Sequence, residues 1–175
     1  MLADKQEKLF KQWLGEHKGL MFKVVRAYAA SPNDQDDLFQ EILLQLWRSI
    51  PGFDGEAKET TWIYRVALNT AMVWKRGKLR RRKKHHRTII NFDELPDTQQ
   101  SPGQLTSEQR IIDRLYAAIQ VLPKIDSTLV LMNLDGLSYD EMSEVLGISK
   151  SNVGVRLNRA KKQLAQLLKG LIDDI

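Results

Sequence analysis

The chain has 175 residues, enough for one ordinary domain or two small ones, and 27 Lys and Arg against 22 Asp and Glu leave it a net charge of +5. It has no cysteine, which excludes disulfides, thiolate metal sites and cysteine nucleophiles. With 42% hydrophobic and 28% charged residues the composition is that of a globular protein and not a disordered tail, and the positive balance favours polyanions without saying which.

The opening stretch MLADKQEKLFKQWL is charged and amphipathic and lacks the apolar core of a secretory signal. No apolar run approaches the roughly 20 residues that cross a bilayer. The expectation is a cytoplasmic protein without membrane insertion. In chain order, Leu9, Trp13 and Leu14 recur at helical spacing, as do Leu20, Met21, Val24, Val25 and Tyr28. Ser31-Pro32-Asn33-Asp34 interrupts the pattern and offers caps for a helix over 35–49. The core stripe of that helix is Leu38, Phe39, Ile42, Leu43, Leu46 and Trp47; Pro51 and Gly52 end it, and a polar loop with Gly55 follows. Thr60 or Thr61 can cap the next helix, over 62–76, which runs on into a basic stretch.

Residues 88–108 are rich in Thr, Ser, Gln, Pro and Asp and keep no period, which reads as a linker, the alternative being an ordered loop packed on a domain. Helical spacing resumes at Gln109 with Ile111, Ile112, Leu115, Ile119 and Leu122, and Pro123 stops it. A short apolar helix over 129–134 ends at Asp135-Gly136. Ser138 and Glu141 have the spacing of a capping box, Gly147 that of a C-cap, and Ser149 caps a last helix reaching about residue 171. No strand pattern occurs. The fold class is therefore all-α: two small helical domains, 1–87 and 109–175, joined by a flexible linker at 88–108, with a helix-turn-helix in the second. Halves of this size bury a modest share of their surface, so each would be marginal alone.

The segment 138–162 has the capped helix, tight turn and second capped helix of a helix-turn-helix. In its second helix Val153, Leu157, Ala160 and Leu164 share a face that must be buried. Ser151, Asn152, Val155, Arg156, Asn158, Arg159 and Lys162 lie opposite, the face that enters the major groove. There Arg can bond guanine, Asn adenine, and Val155 a thymine methyl, while Lys161 and Lys162 suit phosphate. The alternative is a helical hairpin with an ordinary solvated basic face. Gly154 in mid-helix costs about 1 kcal/mol relative to Ala, and it either admits close backbone approach to DNA or is simply tolerated.

In the first half, Lys75, Arg76, Lys78, Arg80, Arg81, Arg82, Lys83, Lys84 and Arg87 form a basic run, suited to sequence-blind phosphate binding or else only a solvated tail. Arg65, Asn69, Met72 and Arg76 share the outward face of the preceding helix, opposite Ile63, Val66, Ala67 and Thr70. Polar groups, aromatic rings and a phosphate anchor on one element suit unstacked single strands, with Trp62 and Trp74 either stacking platforms or core. On the 35–49 helix, Asp37, Gln40, Glu41 and Arg48 form a polar side that also holds Leu44, either a lone exposed leucine or the anchor of a protein contact.

Together these segments resemble the extracytoplasmic-function sigma factors of bacteria over nearly the whole chain, in the same order. Asp37-Leu38-Phe39-Gln40-Glu41 with Leu46-Trp47 is similar to the family's polymerase-binding helix, which implies Asp37, Gln40, Glu41 and Leu44 as contacts to the clamp of core RNA polymerase. Trp62-Ile63-Tyr64-Arg65-Val66-Ala67-Leu68-Asn69 resembles the helix that reads and melts the minus-ten element. Residues 53–58 correspond to the loop that captures a flipped base, implying Phe53, Asp54 and Lys58. The helix-turn-helix corresponds to the minus-thirty-five reader. Leu68, Val73, Gly154 and Asn158 depart from the family pattern, which bears on the promoter sequence and not on the class. The resemblance implies a sigma factor acting on promoter DNA, both duplex and single-stranded, held by core RNA polymerase and restrained by an anti-sigma protein. It implies no enzymatic activity, cofactor or metal.

Two other classes stand beside this reading. A stand-alone, dimeric helix-turn-helix regulator would bind a palindromic duplex without polymerase, yet needs neither the 37–47 segment nor the basic 62–87 segment. A nuclease using Asp36, Asp37 and His85 or His86 fails on geometry, because adjacent helical residues do not face one another and the histidines sit in a basic run.

Overall fold

The computed structural model describes residues 2–86 and 106–172. Seven α-helices and one 3-10 turn make up the regular structure among these residues: α1 (Leu2–Tyr28), α2 (Pro32–Ser49), the turn Ile50–Gly52, α3 (Glu59–His86), α4 (Ser107–Val121), α5 (Lys124–Leu134), α6 (Tyr139–Leu146) and α7 (Lys150–Ile172). The all-α expectation holds.

Local chemistry sets most of the boundaries. Ser31 accepts a hydrogen bond from the Asp34 amide and Pro32 opens α2, where a missing N–H costs nothing. Four starts differ from the sequence expectation, α2 itself opening at Pro32 and not at 35. The Lys58 carbonyl accepts from the Trp62 amide, so α3 begins at Glu59, and Thr61 is buried within the first turn instead of capping it. The Pro123 carbonyl accepts from the Ser127 amide, so α5 starts a turn and more before 129. Its residues from Asp126 through Met132 are all buried, and a helix enclosed on every side shows no polar stripe in sequence. Thr106 caps α4, so Ser107 and Glu108 are helical; the rest of the expected linker lies outside the described residues. The basic stretch continues α3 as helix through His86.

In the first half α1, α2 and α3 pack on one another through Trp13, Met21, Val24, Leu38, Ile42, Leu46, Ile63, Tyr64 and Leu68. Fully burying one such Leu or Ile stabilises by about 1.5–3 kcal/mol. In the second half α7 packs across α4, α5 and α6 through Ile119, Leu129, Met142, Val153 and Leu157. The two sets belong to one contiguous core, because α1 also packs on α4 and α5, and α3 on α6. This junction is polar. Tyr28 and Thr128 share a buried 2.7 Å hydrogen bond. Arg26 pairs with Asp113 at 2.7 Å and lies over the Tyr116 ring, while its carbonyl accepts from Gln120. Asp135, at the end of α5, takes hydrogen bonds from both Lys23 and Tyr64.

Candidate nucleic-acid interface

The helix-turn-helix is held by its own side chains. Ser138 Oγ accepts from the Glu141 amide at 3.2 Å and Glu141 accepts from the Ser138 amide at 2.7 Å, closing the capping box. Gly147 ends α6 at φ +65°, a left-handed conformation open to glycine, and Ser143 Oγ donates to the Ile148 carbonyl across the turn. Ser149 then accepts from the Asn152 amide to start α7. With Val153, Leu157 and Ala160 buried beneath, Ser151, Asn152, Val155, Asn158, Arg159 and Lys162 are exposed on the opposite side.

Arg156 differs from these. It is half-buried, and its Nε donates to Oδ1 of Asp126 at 3.0 Å. Arg159 reaches Oδ2 of the same carboxylate at 3.7 Å while staying largely in solvent. Gly154 faces neither open space nor solvent alone: a Cβ there would meet the Tyr139 ring at 3.4 Å.

On α3, Asn69 and Arg76 are exposed and Arg65 and Met72 half-buried, so the four lie along one accessible side. Beside Arg65 a cleft of about 340 Å³ is lined by Asp54, Glu56, Ala57, Trp62, Arg65 and Glu144. Phe53 roots the 53–58 loop, its ring edge-on between Trp13 (5.1 Å) and Trp62 (5.4 Å). Trp62 is half-buried and anchored by a hydrogen bond from its Nε1 to Ser49, so it belongs to the core and the cleft at once. Asp54 accepts from the Glu56 amide and is exposed, as is Lys58.

Two of the first-half cations meet acids of α6. Lys58 pairs with Glu141 at 2.7 Å and Arg65 with Glu144 at 3.0 Å. The hydrogen bond from Lys58, together with that from the Ser138 amide, holds the Glu141 carboxyl down to about pKa 2. Where α3 meets the start of α5, Lys124 is pushed down to about 8 by burial and by the neighbouring Lys75. On α2, Asp37, Gln40 and Leu44 are exposed, and Glu41 is half-buried and accepts from Gln45.

Sequence reasoning missed Asp126, Asp135, Glu141 as an ion-pair partner, and Glu144. The Asp126 signal was available, an acid at the head of an otherwise uncharged stretch. Glu16, His17 and Glu59 bring one donor atom each within 4.8 Å of one another, the one such group among the described residues, with His17 Nε2 3.5 Å from a Glu59 carboxylate oxygen.

The profile of Sigma-70 region 2 matches residues 13–83, and that of Sigma-70 region 4 matches 112–164. The chain is 27% identical over 156 residues to the ECF RNA polymerase sigma factor SigE of Mycolicibacterium smegmatis, covering 87% of this chain and 59% of that protein. It is 32% identical over 142 residues to the RNA polymerase sigma factor SigZ of Bacillus subtilis, covering 79% of this chain and 76% of that one. Among solved structures, the sigma factor RpoE from Bartonella quintana, crystallised with the anti-sigma factor NepR, has a similar fold, with a TM-score of 0.71 at 20% identity over 93% of this chain and 98% of that one.

Proposed function

Since the chain belongs to the extracytoplasmic-function sigma factors of the Sigma-70 family, and so serves promoter recognition and transcription initiation, we propose the following division of that task among its residues. Domain 109–175 reads the duplex upstream element through Ser151, Asn152, Val155, Arg156, Asn158, Arg159 and Lys162. Domain 1–87 holds the melted element through Arg65, Asn69, Met72 and Arg76, with Phe53, Asp54 and Lys58 shaping the cleft for an unstacked base. Asp37, Gln40, Glu41 and Leu44 dock on core RNA polymerase. The observation that carries this reading is one chain with three separate outward faces of different chemistry: basic on α7, mixed basic and aromatic on α3, and acidic with one exposed leucine on α2.

The mechanism is binding and not catalysis. Lys58 and Arg65 pair with Glu141 and Glu144 while the halves are packed, so those acids compete with a captured strand for both cations, and departure of α6 from α3 would favour capture. Core polymerase, holding both halves, turns two weak DNA contacts into one strong one through high effective concentration. Capture of unstacked bases then offsets a few kcal/mol of unstacking for each flipped base. An anti-sigma protein, as on the similarly folded RpoE, would act by holding the same faces, in the cytoplasm.

The test is reconstitution with sigma-free core RNA polymerase. The wild-type protein co-elutes with core and starts transcripts at discrete genomic sites. The double variant Asp37→Ala, Gln40→Ala weakens core binding by roughly tenfold or more, as loss of charged and polar contacts at an interface does, with the fold intact. Core binding unchanged by that variant removes α2 as the docking helix.

A further inference from the structure

We infer that Asp126 is a positioning residue for promoter reading: its buried carboxylate fixes the guanidinium of Arg156, with Arg159 at ion-pair distance beside it, in the pose that α7 presents to duplex DNA. The inference rests on the proposal that α7 is the duplex-reading helix, and it adds a residue from another helix to that surface.

Asp126 is the third residue of α5 and is 1% exposed. A carboxylate taken so far from water costs several kcal/mol unless ionic partners and hydrogen bonds compensate it. The compensation here comes from the recognition helix, with Arg156 Nε at 3.0 Å from one oxygen and an Arg159 terminal nitrogen at 3.7 Å from the other. Each carboxylate oxygen thus addresses one arginine, and the two arginines are three residues apart, neighbours on one helical face. A free arginine loses rotamer freedom when it is immobilised on a base. Anchoring the Arg156 side chain at Nε meets much of that cost before DNA arrives and leaves its terminal nitrogens for an acceptor, which is the general benefit of preorganisation. Arg159 is 65% exposed at its side chain and keeps most of its donors outward.

The charge of Asp126 has a second consequence with a distinct signature. A negative charge under the DNA-facing helix subtracts from sequence-blind attraction to phosphate. Removing it should therefore raise nonspecific binding while lowering base discrimination. A merely structural carboxylate would, on removal, lower both together.

The experiment uses the full-length protein bound to core RNA polymerase, transcribing a pool of promoters whose upstream element is randomised, with transcripts counted by sequence. Free full-length protein binding to a random-sequence duplex, followed by fluorescence anisotropy, supplies the nonspecific term. Asp126→Asn keeps the shape and removes the charge; Arg156→Lys keeps the charge and removes the fork. Both are expected to flatten the same one or two base positions, with discrimination falling about tenfold, the equivalent of roughly 1.4 kcal/mol. The double variant should be no worse than either single one, and nonspecific affinity of Asp126→Asn should be equal to wild type or higher.

An unchanged base profile in a folded Asp126→Asn protein overturns the inference, as does a uniform loss of specific and nonspecific binding. If Asp126→Asn does not fold, Asp126→Glu, which keeps the charge but moves the carboxylate by one methylene, decides: flattening at the positions that Arg156→Lys flattens supports the inference and an unchanged profile overturns it. Arg159→Ala separates the two levels of reading. If it too leaves the upstream preference intact, the assignment of α7 has failed, and not Asp126 alone.

Discussion

Gly154 illustrates how a single residue is judged by its neighbour. Mid-helix glycine forfeits about 1 kcal/mol relative to alanine, and sequence left open whether close approach to DNA compensates. In the folded chain the position faces the Tyr139 ring, and an added methyl would stand 3.4 Å from Cε2, an ordinary van der Waals distance. The helix therefore has room for alanine. Gly154→Ala is expected to stabilise the protein by about 0.5–1 kcal/mol in urea unfolding with the slope unchanged. A destabilised variant would mean that the Tyr139 ring cannot accept the methyl. The same variant also tests the role for DNA, since close backbone approach predicts weaker upstream binding despite a more stable fold.

At the level of elements, the parts that local chemistry dictates were legible in sequence and the parts set by distant partners were not. The capping box of α6, the Gly147 C-cap, the Ser149 cap and the buried stripes of α2 and α7 all rest on residues within a turn or two of each other, and the structure reproduces them. Since Ser138 meets both requirements of the box, Ser138→Ala should cost about 1 kcal/mol in stability and loosen the helix-turn-helix, seen as faster amide exchange across α6. Equal exchange in α6 and in the distant α2 would argue against a local effect. By contrast, α5 lost its first turn in the sequence reading because enclosure on all sides erases periodicity. Asp126 meets Arg156 across 30 residues and Tyr64 meets Asp135 across 71, separations that no spacing rule reaches. Of the candidate interface, the outward positions of α7 and α3 were readable from the helical period. What holds Arg156, and what faces Arg65 and Lys58, required the fold.

For the molecule as a whole, the question is how tightly the two halves are held, because the same cations serve the junction and the melted strand. Beside the continuous core, the junction carries several hydrogen bonds and ion pairs, which respond to pH and salt. Two of its groups set a pH window. Glu141 titrates near 2 when bonded to Lys58, below its ordinary 4.5, so the contact is complete above about 4.5 and is lost as pH falls from there toward 2. Lys124 acts in the same direction at higher pH. Its folded value near 8 lies below the ordinary 10.5, so between these values the packed state has released a proton that the unfolded chain keeps, and stability gains as pH rises. Because Lys75 sits on α3 and Lys124 on α5, part of that gain belongs to the junction itself. A distance reporter with one dye on α2 and one on α7 should therefore show the halves separating below pH 4.5 and in high salt, which screens the exposed pairs. Docking should tighten as pH rises from about 8 toward 10.5. Glu141→Gln is expected to separate the halves at neutral pH in part and to blunt the acid response, while Lys75→Met shrinks the alkaline limb without abolishing it, since burial is the larger cause of the Lys124 shift. An acid opening of equal size in Glu141→Gln would place the switch on other carboxylates. Asp135 gives the independent control: with Asp135→Ala the buried Tyr64 hydroxyl loses its acceptor and Lys23 its partner, at a cost of about 1–3 kcal/mol, and the halves should part at every pH. If departure of α6 from α3 does favour strand capture, that variant binds a melted-element single strand more tightly than the wild type while its upstream duplex binding stays the same.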